Sequence, residues 1–96
     1  MKTLNEIKHS LSRIKDVLKK KYKVKEIGVF GSYVRNESKR NSDIDILVEV
    51  GAIDLFDFID LRDYLSGLLE AKVDLVSKNA LKPRIGKHIL NEVVYI

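Results

Sequence analysis

Two short runs of β-branched and aromatic residues, each closed by a glycine, set the narrowest limits on how this chain can fold. Residues 24–30 end at Gly31, and residues 43–50 end at Gly51. Such runs favour strands, and glycine commonly marks the turn that follows a strand. Residues 73–76 predict a third, shorter strand in the same way. The sequence therefore predicts a small β-sheet.

Helices are predicted on both sides of these strands. The first has a single apolar stripe at spacings of three and four, formed by Leu4, Ile7, Leu11, Ile14, Leu18 and Tyr22. Thr3 with Glu6 is typical of a capping box at its start. With only 96 residues, the chain has room for one α/β or α+β domain, residues 1–96, in which helices flank a small sheet.

The second half of the chain predicts two further helices and an edge strand. Asp54 fits the cap of a helix that runs to about Glu70, and Pro83 fits the first turn of a short last helix. Residues 93–96 are expected to add an edge strand. The middle helix is apolar over an unusually wide arc, which predicts either packing between the sheet and the first helix or a contact with a second protein.

Composition excludes several classes of protein. The chain has no cysteine, which rules out disulfides, a thiol nucleophile and cysteine-bound zinc. Its longest stretch without a charge, residues 27–34, is far shorter than the roughly 20 apolar residues of a membrane span. Lys8 and Arg13 interrupt any apolar signal-peptide core. We therefore expect a cytoplasmic protein with no membrane partner.

The net charge of +4 conceals an acidic centre. Residues 43–74 carry nine acidic side chains and two basic ones, whereas the remaining segments are basic. A nucleic-acid interface could use the basic side chains Lys19, Lys20, Lys21, Lys23 and Lys25. No aromatic-rich strand pattern accompanies them, so solvated lysines at a helix end are the better interpretation.

Three aspartates interrupt segments that otherwise consist of strand residues. Asp43 and Asp45 share one face of the predicted second strand, with Cα atoms about 6.6 Å apart. Asp74 joins them if the third strand lies beside the second. Neighbouring carboxylates repel each other unless a cation relieves them, and oxygen ligands suit Mg²⁺. Two such ions form the usual clamp for phosphoryl or nucleotidyl transfer.

Gly31 and Ser32 predict an anion-binding turn. A strand that ends in Gly-Ser and opens a helix at about Ser32 presents backbone N–H groups, and glycine lets a phosphate approach closely. Arg35, one turn later, is suited to a triphosphate or a leaving pyrophosphate. Ser42 is predicted to close a turn and to add a contact to the nucleotide. His9 and His88 lack ligand spacing, and we expect them to be structural or exposed.

The order Gly31-Ser32, ten residues, Asp43-x-Asp45 and a later Asp74 resembles the DNA polymerase beta-like nucleotidyltransferase superfamily. The short chain is similar to its minimal nucleotidyltransferase (MNT) branch over essentially the whole length. Two loop positions depart from the usual pattern: Asn36 stands where glycine often follows the arginine, and Ser38 where a small apolar residue is common.

The resemblance implies a function. Members of this branch are commonly antitoxins of HEPN-domain toxins, with which they form hetero-oligomers, and they transfer AMP from ATP to a tyrosine hydroxyl of the toxin. By the same resemblance, Gly31 and Ser32 would hold the triphosphate, and Asp43 and Asp45 would bind two Mg²⁺ ions. Asp74 would bind one of the ions and help to activate the acceptor hydroxyl.

Two alternatives belong to other classes. A catalytically idle antitoxin would neutralise its partner by binding alone, although clustered carboxylates offer a pure binder no advantage. A nucleotidyltransferase acting on a small molecule, such as an aminoglycoside, generally carries an additional substrate domain, for which this chain has no room.

Overall fold

The three predicted strands and the expected edge strand form a four-stranded mixed sheet. The computed structural model describes residues 3–39 and 41–96, and its strands are β1 (Val24–Phe30), β2 (Ile44–Val50), β3 (Val73–Ser77) and β4 (Val94–Tyr95). Their order is β3-β2-β1-β4. β1 is antiparallel to both of its neighbours, whereas β2 and β3 are parallel. This arrangement confirms the predicted fold class.

The described residues also form four α-helices. They are α1 (Leu4–Ser12), α2 (Lys15–Tyr22), α3 (Leu55–Leu69) and α4 (Pro83–Glu92), and short 3₁₀ turns span Gly31–Tyr33 and Lys78–Ala80. The capping box of Thr3 and Glu6 is present, and the Asp54 side chain accepts a hydrogen bond from the N–H of Asp57, so both predicted caps are confirmed. None of the helices among the described residues is long and apolar enough to cross a membrane.

The prediction of one uninterrupted first helix is wrong. The backbone turns between Ser12 and Lys15, where the N–H of Ile14 bonds to the carbonyl of Leu11, three residues back. The Ser12 hydroxyl also donates to the His9 carbonyl at 2.8 Å, a competing bond that often bends helices. The apolar stripe continues through this break, because Leu11 and Leu18 are both fully buried.

Helix α3 connects β2 to the parallel strand β3 and covers one face of the sheet. Its buried residues Leu61, Leu65 and Leu69 belong to the same core as Ile44 and Ile46 of β2. This confirms the predicted packing of α3 against the sheet and against α1. The first turn behaves differently: Leu55 and Phe56 are 68% and 82% exposed.

The segment between β1 and β2 begins with the 3₁₀ turn at Gly31, one residue before the predicted helix start. Asn36 adopts a left-handed conformation with φ of 58°. Asparagine is one of the few residues other than glycine that tolerate this region, which explains how it replaces the glycine common at this position. Arg40 of the predicted loop lies outside the described residues.

Replacing Tyr22 with phenylalanine is expected to lower the free energy of unfolding by about 1–2 kcal/mol. Tyr22 is 2% exposed, and its hydroxyl donates to Asp60 Oδ2 at 2.7 Å. Burial and this hydrogen bond raise the pKa of Tyr22 to about 12. Urea denaturation measures the loss. Asp63→Asn, on the same helix as the acceptor Asp60, is the control, and an equal effect of both variants would contradict the role of the hydroxyl.

Candidate active site

The sheet register places Asp45 between two other predicted site residues. Asp45 lies opposite Asp74 of the parallel strand β3 and opposite Phe30 of β1, the residue before Gly31. The backbone N–H of Ile44 donates to the carbonyl of Lys72 at 2.9 Å, which fastens the beginning of β2 to that of β3. The end of β1 and the beginnings of β2 and β3 therefore converge on Asp45.

Negative charge accumulates at Asp45. Burial raises its pKa to about 6, and the charges of Asp74 and Asp43 together with a hydrogen bond to Asp74 add to the shift. The positive charge of Arg35 lowers the pKa of Asp45 and only partly offsets these effects. Asp43 lies directly before β2. Its Oδ2 is 3.9 Å from Lys72 Nζ, but Lys72 is highly exposed, so this ion pair offsets the charge of Asp43 only weakly. The carboxylates thus form an acidic cluster without a close compensating base.

This cluster fits an open magnesium site. Across residues 3–39 and 41–96, no group of three or more His, Cys, Asp or Glu side chains is arranged to hold a metal by itself. Mg²⁺ at nucleotide sites usually takes one or two carboxylates together with phosphate oxygens and water. Asp45, with Asp43 and Asp74 near it, suits that arrangement, because burial and then repulsion between the carboxylates raise the pKa of Asp45, and a bound cation would offset that repulsion.

Gly31 allows the backbone to pass directly against Asp45. Its φ of +81° lies in the left-handed region, and a Cβ at this position would overlap Asp45 Oδ2 and lie 2.9 Å from Cγ. Gly31 also donates its N–H to the Glu92 carboxylate at 2.7 Å. The glycine is thus required by both conformation and space.

Arg35 and Glu92 form an ion pair beside Gly31. Arg35 Nη1 lies 3.0 and 3.1 Å from the two carboxylate oxygens of Glu92, and Arg35 Nε lies 3.3 Å from Glu37 Oε2. The hydrogen bond to Glu92, followed by that to Glu37, raises the pKa of Arg35. Sequence reasoning did not single out Glu92. It is the only acidic residue in segment 75–96, a signal that could have drawn attention to it.

Two clefts flank the acidic cluster. One is lined by Gly31, Arg35 and Asp45 together with α4 residues that include Glu92 and His88. The other is lined by Asp43 and Asp74 together with residues of α3, Arg62 among them. His88 is exposed, as expected, but it lies on the wall of the first cleft rather than away from the site.

The two serines near the cluster have different surroundings. Ser32 is half-buried in the 3₁₀ turn directly after Gly31. Ser42 Oγ accepts the backbone N–H of Lys39 at 2.7 Å, so this serine closes a turn as expected. Its contact with a nucleotide stays a prediction.

In buffer with EDTA, Asp45→Asn is expected to raise the free energy of unfolding at pH 7.5 by about 1 kcal/mol, after allowance for solvent screening. Because the pKa of Asp45 is raised to about 6, the folded state holds this proton more tightly than the unfolded chain. The ionised carboxylate therefore destabilises the fold above pH 6, and the difference between variant and wild type should shrink as the pH falls towards 4. Urea denaturation across this range measures it, and a constant difference would contradict the assignment.

The family follows from a direct comparison. Residues 11–96 match the family described as the nucleotidyltransferase domain. The chain belongs to the nucleotidyltransferase family. It is accordingly an enzyme of the nucleotidyltransferase class, and the resemblance on which the site prediction rests is confirmed.

The names of relatives of the same length specify protein adenylyltransferase activity. The protein adenylyltransferase MntA of Thermococcus cleftensis is 52% identical over 97 residues, which cover 100% of this chain and 98% of that protein. A Methanocaldococcus jannaschii relative classed among the protein adenylyltransferases is 54% identical over 98 residues, with full coverage of both chains.

Solved structures share the fold. A minimal nucleotidyltransferase superposes with a TM-score of 0.82 at 30% identity and covers 97% of this chain and 95% of its own. A toxin-antitoxin structure with AMP-PNP gives a TM-score of 0.74 at 28% identity, covering 88% of this chain and 69% of its own. The fold of an MNT antitoxin in complex with a tri-AMPylated HEPN toxin from Shewanella oneidensis is also similar, with a TM-score of 0.69 at 23% identity over 93% of this chain and 70% of that one.

Proposed function

We propose that this chain is a cytoplasmic protein adenylyltransferase that transfers AMP from ATP to a tyrosine hydroxyl of a HEPN-domain toxin and so acts as its antitoxin. The observation that carries the proposal is the position of Asp45, which lies between Asp74 on β3 and the Gly31 turn at the end of β1. An anion-binding turn and an acceptor-side carboxylate are therefore adjacent to one acidic cluster.

The first cleft is suited to the phosphates of ATP. The backbone N–H of Gly31 and the guanidinium of Arg35 already donate hydrogen bonds to a carboxylate, so the same two donors are suited to bind a phosphate oxyanion. Ser32 follows Gly31 directly and would add its hydroxyl. A triphosphate held here would place its α-phosphate towards Asp45.

The second cleft is suited to the acceptor. Asp74 is exposed there and adjoins Asp45, so an entering hydroxyl would meet a carboxylate able to accept its proton. The hydroxyl oxygen would then form a bond to the α-phosphorus while the bond to the bridging oxygen breaks, and pyrophosphate would leave towards Arg35. Mg²⁺ held by Asp43, Asp45 and Asp74 would supply charge neutralisation for the phosphates.

Three observations support the partner and the nucleotide. MntA of Thermococcus cleftensis, 52% identical over the full chain, is a protein adenylyltransferase. Structures with a similar fold include toxin-antitoxin complexes, one of them with AMP-PNP. The exposed Leu55 and Phe56 at the beginning of α3 offer an apolar surface that suits a protein partner.

The decisive experiment is an incubation of the purified chain with ATP, Mg²⁺ and the proposed HEPN-domain partner, followed by intact-mass analysis of the partner. We expect the partner to gain one or more AMP units, and peptide mapping should locate them on tyrosine. Omission of Mg²⁺ is the control. An unmodified partner that nevertheless forms a stable complex would instead support the idle antitoxin.

A further inference from the structure

The carboxylate of Glu92 occupies the donors that we assign to the nucleotide phosphates. Its Oε1 accepts the Gly31 N–H at 2.7 Å, and both of its oxygens accept bonds from Arg35 Nη1. Asp45 lines the same cleft, but among the described contacts Asp43, Asp45 and Asp74 accept no hydrogen bond from the Gly31 N–H or from Arg35. Glu92 is therefore distinct from the acidic cluster and resembles a bound anion in its contacts.

The backbone next to Glu92 is fixed by the sheet. Glu92 ends α4, and the chain continues directly into β4, which pairs with Gly28 and Val29 of β1. A Cβ on Gly28 would lie 2.6 Å from Val93 Cγ2 and 3.0 Å from the Val94 carbonyl oxygen, so the two segments are in close contact. The movable part is the Glu92 side chain, which is 26% exposed and has three rotatable bonds.

We propose that Glu92 is an internal competitor of the nucleotide and thereby sets the specificity of the phosphate subsite. In the free protein its carboxylate holds Gly31 and Arg35, and the phosphate of an incoming nucleotide takes its place on the same donors. The inference rests on the proposed function, since it assumes that Gly31 and Arg35 bind phosphate.

The exchange has a consequence for selectivity. An incoming anion must replace two interactions that are already charge-assisted, and it must do so beside three further carboxylates. A singly charged anion that binds weakly gains too little binding free energy to displace the Glu92 carboxylate. A polyphosphate that brings Mg²⁺ compensates the acidic cluster and supplies several oxygens, so the site favours metal-bound triphosphate.

Isothermal titration of the full chain with inorganic triphosphate and Mg²⁺ tests this exchange. Glu92→Ala removes the competitor and is expected to lower the Kd about 10-fold, because both the hydrogen bond to Gly31 and the ion pair no longer oppose binding. Glu92→Gln keeps an acceptor for the Gly31 N–H but loses the charge, and about a threefold decrease is expected. Thermal melting of each variant verifies that it is folded, and the isosteric glutamine serves if the alanine variant is not.

Glu37 provides the matched control. Its Oε2 also lies 3.3 Å from Arg35 Nε, but its side chain is 63% exposed and makes no described contact with Gly31. Glu37→Gln is expected to change the Kd less than about twofold. Unchanged or weaker triphosphate binding by folded Glu92 variants would overturn the proposal, as would a failure of wild type and variants alike to bind triphosphate.

The two proposals fail separately. Tighter triphosphate binding by Glu92→Ala without any AMP transfer by the wild-type chain would refute the proposed function and leave the competitor role intact. Transfer of AMP by the wild type, with no change in triphosphate affinity in the Glu92 variants, would refute the competitor role alone.

Discussion

Asp45→Asn is expected to reduce AMP transfer to the proposed HEPN partner by at least about 10³-fold while leaving the fold intact. Asp45 is the carboxylate at which the three strands converge, with Asp74 opposite it on β3 and Gly31 in direct contact. An amide has the same shape but no charge, so it would bind Mg²⁺ poorly and could not organise the phosphates. Initial rates from intact-mass analysis of the partner measure the loss.

The same substitution separates catalysis from stability. Since the ionised Asp45 destabilises the metal-free fold, the asparagine variant should be inactive and yet more stable in EDTA. Glu49→Gln is the matched control, because Glu49 lies on the same strand and the same face, four residues from Asp45 and away from the Gly31 turn. It should retain wild-type rates. Full activity in Asp45→Asn, or an equal loss in Glu49→Gln, would contradict the assignment of Asp45.

Much of the acidic cluster could be predicted from local sequence because strand geometry is periodic. Alternation along a strand brings Asp43 and Asp45 to one face, and an aspartate between apolar strand residues indicates Asp74. The spacing of residues along the chain does not show which strands are neighbours in the sheet, or whether neighbouring strands run parallel or antiparallel. The parallel pairing of β2 with β3, made possible by α3, aligns Asp45 with Asp74 and completes the arrangement.

Features that depend on contacts between distant segments could not be predicted in the same way. Glu92 reaches Gly31 across 61 positions of sequence, and only the pairing of β4 with β1 brings the end of α4 to that turn. The break after Ser12 has a local cause, but the apolar stripe that runs through it is the same for one helix or for two. Periodicity therefore identifies the buried face and not the continuity of the backbone.

Gly31→Ala is expected to lower AMP transfer by at least about 10²-fold and the free energy of unfolding by about 1–3 kcal/mol. With φ at +81°, any side chain is strained, and the new Cβ would overlap Asp45 Oδ2. The carboxylate would have to move away from the phosphate turn, so the two halves of the site would lose their alignment. Gly67→Ala, on the exposed face of α3 with no atom within 4 Å of its Cβ, is the control for stability and should increase it by about 0.5–1 kcal/mol.

A double-mutant cycle with Asp45→Ala identifies the cause of the loss in stability. If the overlap with the carboxylate matters, Gly31→Ala should cost less in the Asp45→Ala background, because the overlapping oxygen and its Cγ are gone. The strain from the positive φ would persist in both backgrounds. Urea denaturation of the four proteins measures the coupling. A coupling energy of zero would mean that Gly31 serves only its own backbone conformation, and the direct contact with Asp45 would then have no part in the effect.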